Sequence, residues 1–457
     1  MPLATPRIVR LANLTVVAGV LVCAVLLGIS ASRPHEELSR GEFIGGYLLP
    51  GAWFAVFLMA AKLSVVNRIN FVLTILSVTV GIYMAECVVA FGLPIFIAKH
   101  SELKSDATVD TRTKLEVLLE MRAKGERVFP HLSGPLLSET SIVVNGRRVM
   151  PLSPSPANAT VVFCNETGQY VRYASDEHGF NNPQGLWGAK AIDIVLIGDS
   201  FVHGACVESA MTIAGRLRSR WPATLSLGVS GAGPLFELAV LREYVTEIKP
   251  KVVVWFFFEG NDLSDLHQEQ QVPELSAYVD EGHRQHLMMY QERIDGGLAG
   301  IIDQIAERQQ QERQVSWSFE RWVSETGRIA VLSNLRAVFG IRLPRKDHSV
   351  DPFPVLIREA KKSVQSWGGT LYFAYLPSYE RYSEWLGDGP VERGAVLKAV
   401  QEAGVEIIDV HRIFASYSNP RSFWVHPNAH YTLDGYRIIA DAIREHLAPR
   451  PLSAGSL

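Results

Sequence analysis

Three apolar stretches open the chain, roughly Leu11 to Ser30, Gly45 to Val66 and Phe71 to Ala98. Each meets the ~20 residues an α-helix needs to cross a bilayer, so the pattern predicts three transmembrane helices over residues 1–98. Beyond them the pattern changes. Residues 99–160 are polar and rich in turn formers, with one helix candidate at Leu115 to Lys124, and read as a connector. From 161 to 447 short apolar runs alternate with helical spacing: Val161 to Tyr173, Ile192 to Ile197, Leu225 to Val229, Lys251 to Phe258, Thr370 to Pro377 and Val405 to Val410. Continuous apolar runs of this length are strands buried on both faces. Strands alternating with helices predict an α/β domain with a three-layer, flavodoxin-like parallel sheet and helices on both faces. A polar, helix-prone insertion occupies about 263–345. It includes Gln-rich Gln304 to Gln314 and Trp317 and Trp322, and is expected to be either a lid or a solvated appendage. Residues 448–457 form a tail.

Charge and cysteine content narrow the class. The chain has 457 residues and a formal net charge of −3, with no basic footprint for nucleic acid. Arg7, Arg10, Lys62 and Arg68 flank the first two spans on what the positive-inside rule makes the cytoplasmic side. Three spans then carry the globular domain outside the cytoplasm, into an inner or plasma membrane setting. Lys99, Lys104, Arg112 and Lys114 oppose that orientation, although long domains translocate largely regardless of charge. The first span also fits a signal peptide, but no small-residue cleavage site follows it. Glu86, inside the third stretch, is either functional or turned toward a neighbouring helix. Four cysteines are too few for a disulfide scaffold. Cys164 and Cys206 are left open, paired in an oxidising compartment or free.

The candidate chemistry sits at strand ends. Ile192 to Ile197 stops at Gly198, and Asp199-Ser200 follows, with helical spacing from Met211 to Trp221. That puts the Ser200 hydroxyl at the carboxyl end of a strand, where open α/β sheets keep their ligands. An ordinary capped turn explains the segment equally well by itself. Three further segments change the balance: Leu225 to Pro234 with its Gly-rich turn, the strand ending in Glu259-Gly260-Asn261-Asp262, and His426 to Tyr436.

These four blocks together resemble the SGNH (GDSL-type) hydrolase superfamily, over about residues 170–447. The resemblance implies Ser200 as nucleophile and His430 as base. It implies an oxyanion hole from the Ser200 N–H, Gly231 and Asn261, with Asp199 supporting. His430 is chosen over His426 because Gly435 follows it by five residues. The aspartate usual three residues before the histidine is replaced by Pro427. Asn428 or a backbone carbonyl is left to orient the ring, and Asp434 is expected to cap the helix that follows. His426 and His430 are four apart, but Pro427 and Asn428 break any helix between them, so no metal is expected. Asp176-Glu177-His178-Gly179-Phe180 resembles a lead-in of membrane-linked members. No cofactor is implied. The implied substrates are O-acyl, chiefly O-acetyl, groups of a cell-envelope or exported glycan, or small esters. The implied partners are the lipid bilayer and a multi-span acyl-donor membrane protein. Hydrolysis and acyl transfer both fit, and a glycan-binding or assembly subunit with a degenerate site is the non-enzymatic alternative.

Overall fold

The computed structural model describes residues 5–32, 43–89, 109–314, 327, 329–333, 335, 349–382, 392–426 and 429–448. These fall into two compact units, one from Met1–Ala107 with Glu312–Lys346, the other from Thr108–Gln311 with Asp347–Leu457.

In the first unit, two helices are long and apolar enough to cross a membrane, Pro6–Ala31 and Val65–Cys87. The middle stretch is shorter than the sequence pattern indicates. A π-turn at Ile44–Leu48 runs into a 13-residue helix, Leu49–Ala61. Val65–Cys87 begins six residues before the expected Phe71, because Asn67, Arg68 and Asn70 interrupt the apolar pattern without interrupting the helix. Ser64 caps it by accepting from the Asn67 N–H. The Arg68 guanidinium donates to Asn13 and to the Ala61 and Leu63 carbonyls. Most exposed large apolar side chains of the described residues lie on these helices. Glu86 is fully buried and accepts from the Leu335 N–H at 2.7 Å, while Tyr83 donates to the Ala330 carbonyl. Part of the insertion therefore packs within this unit.

The second unit is built on a five-stranded parallel sheet. With strands numbered along the chain, β1 is Val128–Pro130, β2 Ile142–Val144, β3 Arg147–Val149, β4 Thr160–Val162, β5 Arg172–Ala174, β6 Ile194–Ile197, β7 Thr224–Ser226, β8 Val252–Phe258, β9 Thr370–Leu376 and β10 Glu406–Asp409. The order β7-β6-β8-β9-β10 is the flavodoxin-like 2-1-3-4-5 arrangement. Successive side chains of a strand point to opposite faces, and both faces are covered. Val253, Trp255 and Phe257 pack with Pro234–Val240 and Phe353–Ser366; Val254 and Phe256 pack with Ile213–Leu217 and Leu433–Leu447. Truncating a ring such as Phe257 costs about 3–5 kcal/mol in such a core.

The expected connector contributes structure to this unit from Val109 onward. Lys114–Ala123 is a helix with a Thr113/Glu116 capping box. β1 pairs in parallel with β4, and β4 antiparallel with β5. The Asp176 motif locks these elements to the main sheet. Its buried carboxylate accepts from the His178 and Phe180 N–H groups, Asn182 Nδ2 and Trp187 Nε1. Gly179 (φ +87°) is required there, since a Cβ would lie 2.0 Å from the Ser155 carbonyl oxygen. Asn182 in turn accepts from Ser226 N–H and donates to the Ser226 carbonyl, covering the free edge of β7.

The insertion opens with helices Asp262–Glu269 and Pro273–Ser276. It continues as the 24-residue helix Gln291–Gln314, whose Ile294, Leu298 and Ile302 enter the core at four-residue spacing. Trp317 and Trp322 lie outside the described residues.

Candidate active site

β6 ends at Ile197, and Gly198 and Asp199 turn the chain into a four-residue helix, Ser200–His203. The helix expected over Met211 to Trp221 is a separate and shorter one, Ile213–Leu217, that follows a 3-10 turn at Ser209–Met211. The Asp199 carboxylate caps it by accepting from the Phe201 N–H at 3.0 Å. Burial raises the Asp199 carboxyl to about 6, against the pull of the Phe201 amide and nearby His430. His203 is also buried. It bonds Tyr173 Oη at 2.8 Å and Ser230 Oγ at 3.1 Å, and burial drives its pKa well below the ordinary imidazole value. This neutral ring links the serine helix to the turn that carries Gly231.

His430 arrives from the far end of the domain. The chain folds back between Trp424 and Tyr431, with Val425 N–H donating to the His430 carbonyl. Thr432, not Asp434, caps the final helix, accepting from the Gly435 N–H. The Thr432 hydroxyl reaches that amide, whereas Asp434 is exposed in the first turn and pairs with Arg437. Phe201 flanks the imidazole at 5.1 Å between ring centroids. His430 Nε2 stands 2.8 Å from Ser200 Oγ. His426 is exposed on the turn.

The orienting group is a residue that the motif reading does not contain. Glu166, on the hairpin joining β4 to β5, accepts from His430 Nδ1 at 2.7 Å through one oxygen. Its other oxygen accepts from the His430 backbone N–H at 2.9 Å. A carboxylate on Nδ1 selects the Nδ1–H tautomer and leaves Nε2 free to take the Ser200 proton. Burial raises the Glu166 carboxyl, but the hydrogen bonds and charge of His430 outweigh it, and the net displacement is downward. Glu166 therefore holds its negative charge where an imidazolium would need it. Asn428, the sequence candidate for this task, lies outside the described residues together with Pro427. The available signal for Glu166 is Cys164, two positions earlier and bonded to Cys206, which follows Ser200 by six.

Gly231 lies on the turn after β7 with φ +72°, a conformation suited to glycine. Its N–H has no acceptor among the described residues. Asn261 stands at the start of the helix after β8 without a side-chain capping bond. Its side-chain amide donates to Asp265 at 2.6 Å. An NH2 group has two hydrogens, so one donor remains. The structure thus brings Ser200, His430 and Glu166 into one hydrogen-bonded chain. It sets Gly231 and Asn261 on the turns that follow the two strands flanking β6.

The architecture is a 2-1-3-4-5 parallel sheet, with a serine after its first strand, β6, hydrogen-bonded to a histidine from the loop before the last helix. The domain has a flavodoxin-like α/β fold, in which Ser200 and His430 meet as the resemblance to SGNH-type hydrolases implies. The chain matches no protein-family model and no curated protein. Solved structures similar to it include the acetyl xylan esterase AlAXEase, at 12% identity and TM-score 0.33, covering 56% of this chain and 100% of that one. A lipase/acylhydrolase from Enterococcus faecalis gives 13% identity and TM-score 0.32, covering 56% of this chain and 94% of that one. A two-domain esterase active on acetylated mannans gives 10% identity and TM-score 0.29, covering 57% and 50%.

Among the described residues, one grouping has metal-ligand atoms within 4.8 Å of one another: Glu166, Cys206 and His430. Cys206 is bonded to Cys164, and the other two are engaged with each other and with Ser200.

Proposed function

We propose that this protein is a membrane-anchored serine esterase acting on O-acyl groups, chiefly O-acetyl, of a cell-envelope or exported glycan. The single observation that carries the chemistry is the continuous Ser200–His430–Glu166 chain. A serine hydroxyl is a weak nucleophile until a base removes its proton. In the proposed reaction Ser200 Oγ attacks the ester carbonyl carbon while His430 Nε2 takes the Oγ proton. Glu166 stabilises the resulting imidazolium and holds the ring in place. The carbonyl π electrons move to oxygen, and the Ser200 and Gly231 N–H groups and the Asn261 amide receive the oxyanion. Collapse expels the glycan alkoxide, which takes the proton back from His430, leaving acyl-Ser200. Water, deprotonated by His430, then releases acetate and free enzyme.

The glycan as substrate and the acetyl group rest on the resemblance of the four sequence blocks. Two long apolar helices support membrane anchoring. The Cys164–Cys206 disulfide supports an extracytoplasmic domain, because such bonds persist in oxidising compartments. A sugar hydroxyl in place of water would make the same acyl-enzyme a transferase, fed by a separate multi-span acyl donor. The degenerate-site alternative rested on a missing carboxylate, and Glu166 supplies one.

The test is labelling of the full-length protein in detergent with a fluorophosphonate probe, mapped by mass spectrometry, beside acetate release from an aryl acetate. Labelling at Ser200 that disappears in His430→Ala is expected. A folded protein that neither labels nor releases acetate would refute the reading. Acetyl transfer to an added oligosaccharide without acetate release would identify the transferase form.

A further inference from the structure

The hairpin tip that supplies Glu166 is covalently tied to the loop that follows the nucleophile. Cys164 lies two residues before Glu166, and Cys206 lies just past Gly204, which ends the Ser200–His203 helix. Their Cα atoms are 5.4 Å apart and the bond spans 42 residues of sequence. The Cys206 sulfur, a Glu166 oxygen and a His430 ring nitrogen all fall within 4.8 Å of one another. The disulfide is therefore part of the wall of the triad.

The other supports of the hairpin divide by position. At its root, Phe163 packs on His203 and Tyr173 donates or accepts at His203 Nε2. Beyond Phe163, the tip is braced on residues 110–112: Asn165 donates to the Asp110 carbonyl, Asp110 N–H to the Gly168 carbonyl, and Tyr170 to the Arg112 carbonyl. The hairpin pairing continues past β4 and β5, with Phe163 N–H donating to the Val171 carbonyl and Val171 N–H to the Cys164 carbonyl, and it stops at Cys164, two residues short of Glu166. The bond to Cys206 ties the base of the tip covalently to the serine loop. Cys206 is buried, whereas Cys164 is only half-buried, so a small thiol can reach the bond from the Cys164 side.

We infer that the Cys164–Cys206 disulfide positions Glu166 on His430, and that its reduction by a dithiol switches the ester chemistry down. The inference rests on the esterase reading above. In the step, a dithiol thiolate attacks Cys164 Sγ and the S–S bond breaks, with Cys206 leaving as thiolate. The reagent's second thiol closes its own disulfide and releases Cys164. Two electrons and two protons pass to the protein, which then carries two thiols. The freed tip no longer keeps the carboxylate within hydrogen-bond reach of Nδ1. A displacement near 1 Å in a catalytic array costs roughly 100-fold in rate.

The experiment uses the full-length protein in detergent, before and after dithiothreitol, with two new thiols confirmed by intact mass. Aryl acetate kinetics and the rate of fluorophosphonate labelling at Ser200 are read in wild type, in the Cys164→Ser/Cys206→Ser double variant and in Glu166→Gln. The expected result is a roughly 10- to 100-fold fall in kcat and labelling rate, with KM changed less than about twofold, restored on reoxidation. The double variant should sit at the reduced level and ignore dithiothreitol. Glu166→Gln should be slow in both states and equally indifferent. An unchanged rate in fully reduced wild type overturns the inference. So does an equal loss on reduction in Glu166→Gln, since the bond would then act through general folding and not through Glu166. Oxidised wild type that never labels at Ser200 would sink the esterase reading itself.

Discussion

Glu166 and His430 are 264 residues apart in sequence and meet through two hydrogen bonds, one to the ring and one to the backbone of the same residue. The backbone bond fixes where the loop stands, and the ring bond fixes how the imidazole is turned. A glutamine at 166 keeps an oxygen for one of these bonds but carries no charge to balance the imidazolium. Glu166→Gln is expected to lower kcat on an aryl acetate by roughly 10³- to 10⁴-fold with little change in KM. Steady-state kinetics on the detergent-solubilised protein measure it. A loss under tenfold would mean that the carboxylate only holds the loop.

Asp176 gathers two backbone amides, an asparagine amide and an indole N–H around one buried carboxylate. Alanine would leave those donors without an acceptor. Each buried unsatisfied donor costs about 1–3 kcal/mol, so Asp176→Ala should destabilise the catalytic unit by upwards of ~3 kcal/mol. Thermal unfolding followed by Trp fluorescence checks this, with a fall in midpoint of at least about 4 °C expected. Because the motif stands away from the reacting atoms, enzyme assayed well below its melting temperature should retain its KM.

Acid groups in the second unit set an unusual pH dependence. Burial raises Asp199 to about 6 and Glu269 to about 8, and raises Glu237 and Asp262 well above the usual carboxylate range. In each case the folded protein holds its proton more tightly than the unfolded chain. Stability is then full below the unfolded value near 4 and is lost as pH rises toward the folded values. The downward-shifted carboxyls of Glu166 and Asp110 act in the opposite sense, below their unfolded values. The melting temperature of the second unit should therefore fall between pH 5 and pH 8. Each such group contributes about 1.4 kcal/mol per pH unit within its own window. Glu269→Gln should flatten the slope at the upper end. It should also lower stability at pH 5, since Glu269 accepts from the Gly233, Leu235 and Phe236 amides and a glutamine accepts through one oxygen only. A melting temperature that rises from pH 5 to pH 8 would contradict the assignment.

What could be read in advance follows from how local each signal is. Ser200, Gly231 and Asn261 each follow a strand whose apolar run is continuous in sequence, so the pattern places them at strand ends; His430 follows no such run and is reached through the resemblance of its block, with Gly435 five residues on. Trp255 to Phe258 reads as sheet core because a strand covered on both faces has no polar positions to mark. Glu166 gives no such signal. It sits between three-residue strands, and what makes it special is a partner 264 residues away. The start of the Val65–Cys87 helix is hidden for another reason: Arg68 finds carbonyl and amide partners at a helix end, so a charge that breaks the hydropathy pattern does not break the helix. Asp434 misleads because first-turn acids and N-cap acids look alike in sequence; only geometry assigns the cap to Thr432.

Asn261 shows how a donor's orientation is held. Its amide nitrogen donates to Asp265 one helical turn on, while its oxygen is buried with no hydrogen-bond partner among the described residues. A carboxylate accepts hydrogen bonds and repels an amide oxygen, so Asp265 fixes which end of the amide is nitrogen. If the second N–H serves an oxyanion, Asn261→Ala should cost about 10²- to 10³-fold in kcat. Asp265→Ala should cost less, because the amide survives but is free to turn its oxygen toward the developing charge. The pair should also be non-additive: once Asn261 is alanine, removing Asp265 should change kcat by less than about threefold. A double-mutant cycle on kcat decides it. Additive losses would place Asn261 and Asp265 in separate tasks and leave the oxyanion to the backbone amides.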